Sequence, residues 1–179
     1  MRMLPKALLA SLASLTPLAA AAAVMGMAGT GPAHAQNAGS GQLKAAIIFN
    51  IIRFVDFAPD GDAALAVCVA RSAAAPRELA SLSGQRVGNR TIALRAIDPA
   101  NPGGCDVVYL GSAAGDLPRV RQRGVLVIGD GAGFVGSGGT IGLVQTGSQV
   151  RFEVNVRAAR EARLEISSKL LRLAARIQQ

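Results

Sequence analysis

Three short runs of unbroken apolar character constrain this chain more than any other feature: Ala64–Ala70 (Ala-Leu-Ala-Val-Cys-Val-Ala), Asp106–Leu110 (Asp-Val-Val-Tyr-Leu) and Val125–Ile128. Each has the length of a strand and none alternates with polar residues, so each needs cover on both faces of a sheet. Arg90–Ile97 does alternate and reads as a half-buried strand. Helical candidates separate the runs. One is Pro76–Leu82, with Pro76 in the first turn and Gly84 just past the end, and another is Asp116–Arg121. Strands alternating with helices predict an α/β fold, a single Rossmann-like domain with a mainly parallel sheet. Thr140–Gln145 and Gln149–Asn155 flank Thr146-Gly147-Ser148 and read as a C-terminal antiparallel hairpin. Val156–Gln178 reads as mostly helical, with a break near Ile166–Ser168.

The segment Leu43–Phe57 runs about 15 residues without Gly or Pro and stops before Pro59, with Asp60-Gly61 as turn chemistry. Its Ile and Phe content suits a strand. Its length and the i,i+3 spacing of Asn50, Arg53 and Asp56 predict a helix. Most of its circumference is apolar, so it must be covered on more than one side; burial in the core accounts for that, and a subunit or partner contact on a second side is the alternative. Phe49, Ile52, Arg53 and Phe57 are therefore candidate interface residues.

The N-terminus has the three parts of an export signal. Arg2 and Lys6 are positive, Ala7–Val24 is apolar, and Ala33-His34-Ala35 is a small-x-small cleavage pattern. The apolar stretch approaches bilayer length. Pro17 and the weak Ala-rich hydrophobicity nevertheless favour cleavage over anchoring. The organisation expected is a signal peptide at 1–35, a flexible Gly/Ser lead-in at 36–41 and an α/β domain at 42–179. No later segment is apolar enough to span a membrane, so the mature chain is expected outside the cytoplasm, in the periplasm of a Gram-negative bacterium.

Export changes the available chemistry. His34 is the one histidine of the 179 residues and leaves with the signal, which removes His general acids and bases, Ser-His-Asp triads and imidazole metal sites. Cys68 and Cys105 remain in a compartment that permits disulfides, and an isolated pair there favours a structural bridge over two free thiols. Two cysteines at this spacing are too few for a metal site. Gly131-Ala132-Gly133-Phe134-Val135-Gly136 matches the dinucleotide pattern and follows a strand. No helix opens on those glycines to hold a pyrophosphate, so the segment reads as a flexible loop able to touch a partner, with Phe134 as the candidate contact. Ser167-Ser168-Lys169 suggests a Ser/Lys nucleophile, but adjacent helical side chains diverge, and a serine N-cap fits better. No catalytic residue, cofactor or metal is nominated.

The whole chain carries +8, and the part after residue 35 keeps 17 basic residues against 11 acidic ones. Arg119, Arg121 and Arg123 alternate, and Arg157, Arg160, Arg163, Arg172 and Arg176 follow on the C-terminal segment. With one Tyr, five Phe and no Trp there are few platforms for stacking bases, so a solvated positive face, anionic headgroups or an acidic partner fit better than nucleic acid.

Taken in order, Leu43-Lys44-Ala45-Ala46, Phe49-Asn50, Arg53-Phe54-Val55 and Val67-Cys68-Val69 resemble the start of the YfiR family. The resemblance continues through Gly84, Val87-Gly88-Asn89-Arg90, Cys105–Gly111 and Gly133-Phe134. It closes with Gly138–Gly142, Val150–Asn155 and Ile166–Leu171, covering about residues 42 to 176. It implies a dimeric, non-catalytic periplasmic regulator with an α/β fold. The best-understood member represses a membrane diguanylate cyclase through its periplasmic region, lowering cyclic-di-GMP and biofilm formation. By that likeness Cys68 and Cys105 match one family disulfide, and a second family cysteine pair is missing here. The reading that follows is repression of an inner-membrane sensor or cyclase by occupancy of its periplasmic domain. The alternative is a small-ligand-binding protein that reports to such a sensor. Its site would lie in the crevice beyond the carboxyl ends of the parallel strands, near Gly111 and Gly129.

Overall fold

The computed structural model describes residues 33–57, 64–73 and 77–179. The expected signal sequence lies outside these residues except for Ala33–Ala35, as do Pro59, Asp60-Gly61 and Pro76. In chain order the elements are α1 (Ala33–Ile52), β1 (Val55–Asp56), β2 (Leu65–Ala70), a 3-10 turn (Glu78–Leu82), β3 (Arg86–Val87), β4 (Arg90–Ile97) and β5 (Val107–Tyr109). A second 3-10 turn (Ala114–Asp116) leads into α2 (Leu117–Val120), followed by β6 (Leu126–Asp130), β7 (Ile141–Thr146) and β8 (Gln149–Asn155). The tail holds α3 (Val156–Glu161), β9 (Glu165–Ile166), α4 (Ser168–Leu173) and β10 (Arg176–Gln178).

One eight-stranded sheet has the order β10-β8-β7-β6-β5-β2-β4-β3. From β4 through β2, β5 and β6 to β7 every pairing is parallel. The β7–β8 hairpin is antiparallel and turns through Gly147 at a φ of +59°. This is the α/β architecture with a mainly parallel sheet and a C-terminal hairpin that the apolar runs imply. Those runs supply its centre: Val67, Cys68, Val107, Val108, Leu126 and Ile128 are each fully buried. From β2 the chain passes to β4 on one side and then returns to β5 on the other. The strand order therefore reverses between β2 and β5, the place where open α/β sheets bind ligands.

Three local expectations are corrected. Residues 36–41, expected as a flexible lead-in, lie within α1. Gly41 has a steric reason there, since a Cβ would run into the side chain of Glu78 as the helix passes over the 3-10 turn. The helix expected to reach Phe57 stops at Ile52, because Val55 and Asp56 pair with Ile166 and Glu165 in a separate two-stranded sheet. The tail holds two helices with a break between them, as expected, but its last residues are not helical. β10 pairs in parallel with β8, Arg176 beside Glu153 and Gln178 beside Asn155, and extends the sheet by one strand.

Candidate functional site

The carboxyl ends of β5 and β6 hold Tyr109 and Asp130, with Lys44 reaching over from α1. The Tyr109 hydroxyl donates to Asp130 Oδ2 at 2.8 Å, and Lys44 Nζ donates to the same oxygen at 2.8 Å. Tyr109 is 1 % exposed. Burial first, then the charge of Asp130 and the hydrogen bond to it, then the charge of Glu78, push the hydroxyl above its ordinary range. The group stays protonated and acts as a donor, which suits neither a general base nor a nucleophile.

Beside this cluster the glycine-rich loop folds back on the sheet. Phe134 is 2 % exposed and its ring sits between Gly129 and Gly139, where a Cβ on either glycine would collide with it. Gly131 N–H donates to Leu143 O at 2.8 Å and Ser137 N–H to Gly133 O at 2.9 Å. Asn155, 4 % exposed, donates through Nδ2 to Val135 O and accepts at Oδ1 from Ala158 N–H, both at 2.9 Å. That one side chain caps α3 and pins the loop. The loop is a plug, not a flexible flap, and Phe134 belongs to the core instead of an interface. No helix follows it, so the dinucleotide pattern has no structural counterpart. Where a crevice is expected near Gly111 and Gly129, Lys44 of α1 pairs with Asp130 and the Phe134 ring packs against Gly129. Asn155 escaped the sequence reading, although an Asn just before a helix start is a capping signal.

Cys68 and Cys105 are bonded, with Cα atoms 5.9 Å apart, and link β2 to the segment entering β5. Arg95 of β4 lies over the bridge, with Nη2 3.7 Å from one sulfur and 3.9 Å from the other. The same group donates to the Gly103 and Gly104 carbonyls. Next to Cys105, at the amino ends of the strands, Asp106 Oδ2 accepts from Ala66 N–H at 2.7 Å and from Arg90 Nη2 at 2.9 Å, holding β2, β4 and β5 in register. The serine before α4 is its cap: Ser167 Oγ accepts from Lys169 N–H at 3.1 Å. Among the described residues no group of three or more His, Cys, Asp or Glu side chains is placed to hold a metal ion.

The candidate interface residues of α1 and its exit divide by burial. Ile52 is 0 % exposed and belongs to the core with Ile48 and Ile51, which removes it from any contact surface. Arg53 is exposed and its guanidinium stands 5.7 Å from the centre of the half-buried Phe49 ring, and Phe57 is half-buried. The open stripe of α1 and its exit is Leu43, Ala46, Asn50 and Arg53, all exposed at i, i+3, i+7 and i+10, with Leu43 at 41 %. Leu43 and Ala46 went unrecognised because apolar residues on so apolar a helix read as core. Among the described residues no helix is long and apolar enough to cross a membrane.

A family profile described as YfiR/HmsC-like matches residues 41–175, nearly all of the described fold. No curated protein matches. Among solved structures, a conserved domain protein from Vibrio cholerae O1 biovar El Tor is similar in fold, with a TM-score of 0.54 and 14 % identity over 77 % of this chain. This chain spans 60 % of the length of that protein. The ABC domain in complex with L-Trp from Streptococcus pneumonia aligns at a TM-score of 0.47 and 10 % identity, over 76 % of this chain and 61 % of its own, too distant to carry an argument.

Proposed function

We propose a function from one premise: the chain belongs to the YfiR/HmsC-like family. It is a periplasmic, non-catalytic regulator, exported through the signal at 1–35 and cleaved after Ala35, that binds the periplasmic part of an inner-membrane signalling protein and represses its output. A diguanylate cyclase is the partner class, and lower cyclic-di-GMP with less biofilm is the consequence. Repression works by occupancy, the regulator binding one state of the receptor and holding the equilibrium there.

The observation that carries this reading is the family match over 41–175. Geometry supports it in two ways. At the carboxyl ends of β5 and β6, next to the strand-order reversal, Tyr109 and Lys44 are both engaged by the protein's own Asp130. An exposed stripe on α1 and its exit, with Leu43, Ala46, Asn50 and Arg53, is available to a protein partner or to a second copy. The test is a deletion strain with cyclic-di-GMP measured beside the complemented strain, together with crosslinking and capture of membrane partners. Raised cyclic-di-GMP and recovery of an inner-membrane cyclase or sensor are expected. Unchanged cyclic-di-GMP with no such partner would sink the proposal.

A further inference from the structure

At the amino ends of β6 and β7, opposite the end filled by Tyr109 and Asp130, lies a cavity of about 160 Å³. The loop Arg121–Arg123 forms one wall, α3 with Ala158, Glu161 and Ala162 forms another, and Val125, Val127 and Thr140 close the inner side. Gly124 N–H donates to Ala162 O at 2.7 Å and fixes the two walls together. The position of Arg121 is also built. Gly138, at a φ of +103°, lies so close that a Cβ there would stand 3.0 Å from Arg121 Nη1.

Two observations point to a ligand. Thr140 is 2 % exposed, and its backbone is satisfied by Val127 and Asn155. Its hydroxyl makes no hydrogen bond among the described residues and is not sealed from solvent, so it can be reached from the cavity that Thr140 lines. The second observation is charge. Arg121 and Arg123 face one carboxylate, Glu161, whose Oε2 accepts from Arg121 Nη2 at 2.6 Å. Glu161 thus already presents carboxylate oxygens to a guanidinium, and Arg123 makes no ion pair among the described residues.

We propose that this cavity is a binding site for a small oxyanion of the phosphate type. Arg121 and Arg123 supply the charge and the planar donors that match such oxygens, and the Thr140 hydroxyl donates from the inner wall. The volume is below that of the clefts that take larger organic ligands, so the ligand is a free phosphate-like ion or a single headgroup phosphate. Glu161 competes for Arg121 and swings aside when the site fills.

The experiment uses the mature protein with inorganic phosphate in calorimetry and, separately, vesicles with and without phosphatidylglycerol. Arg123→Ala should weaken phosphate binding about 10-fold or more, and Thr140→Val by a smaller factor. Glu161→Gln should strengthen it by removing the internal competitor. Arg172→Ala, an exposed change of equal charge on α4, should leave it unaltered. Phosphate binding with this pattern identifies a free ion as the ligand. Vesicle binding that phosphate competes away and Arg123→Ala abolishes identifies a headgroup. Binding to neither probe, or an Arg123→Ala effect no larger than that of Arg172→Ala, overturns the site.

Discussion

Tyr109 donates its hydroxyl to Asp130 Oδ2 at 2.8 Å across the neighbouring carboxyl ends of β5 and β6. Lys44 of α1 converges on the same oxygen, so one carboxylate fastens a helix to the carboxyl edge of the sheet. The other oxygen, Oδ1, is buried without a hydrogen-bond partner among the described residues, so Asp130 has little to fall back on if a donor is lost.

Tyr109→Phe should therefore destabilise the fold by about 1–3 kcal/mol, the cost of taking a donor from a partly buried carboxylate. The pH dependence has a definite sign. The folded chain holds the Tyr109 proton to higher pH than the unfolded chain, whose hydroxyl titrates near 10.0. Stability from this group is complete below that value and falls as pH rises above it. Tyr109 is the only tyrosine and there is no tryptophan, so tyrosinate absorbance follows it directly. No tyrosinate should form near pH 10 while the native fold persists, and a native midpoint there would refute the buried donor.

Phe134 and its two flanking glycines form a lock whose parts are not independent. Phe134→Ala should cost about 3–5 kcal/mol as a buried aromatic removed from a tight site. Gly129→Ala should cost about 1–3 kcal/mol alone, because its methyl enters the space of the ring. In the double variant the second cost should largely vanish, since the methyl then fills part of the void. Urea unfolding of the four proteins gives the coupling directly, and additive losses would mean that the ring does not set the spacing.

The central strands were legible because an unbroken apolar run of four to seven residues has few ways to hide other than inside a covered sheet. The disulfide was legible from two isolated cysteines in an exported chain. What escaped was made by distant pairing. β1 and β9 are two residues each and exist because Val55 meets Ile166, and β10 exists because Arg176–Gln178 falls beside Glu153–Asn155. The local sequence there, rich in Ala, Arg and Leu, favours helix, and tertiary pairing overrides it. The loop Gly129–Gly139 misled for the opposite reason. Its glycines, read as freedom, make room for one buried ring and one buried asparagine contact.

The Cys68–Cys105 bridge closes a separation of 37 residues and ties β2 to the entry of β5. Cys105→Ser should lower stability by about 3–4 kcal/mol on the chain-entropy model. The chain contains no other cysteines, so a reductant should shift the unfolding midpoint in a single step, without a partly reduced intermediate. Equal midpoints with and without a thiol reductant, at full reduction by mass, would show that the bridge contributes little.

The exposed stripe on α1 separates folding from binding. Leu43 and Ala46 are exposed, so Leu43→Asp with Ala46→Glu should change stability by no more than about 1 kcal/mol. If partner recognition uses this stripe, the same pair should weaken capture of the membrane partner by about 10-fold or more and raise cyclic-di-GMP toward the level of the deletion strain. Arg53→Ala should act in the same direction by removing the cation held over Phe49. Ile52→Ala is the opposing control: fully buried, it should cost about 2–5 kcal/mol and weaken capture only through loss of folded protein. Full capture and repression by the Leu43/Ala46 variant, at normal stability, would move the contact surface off α1.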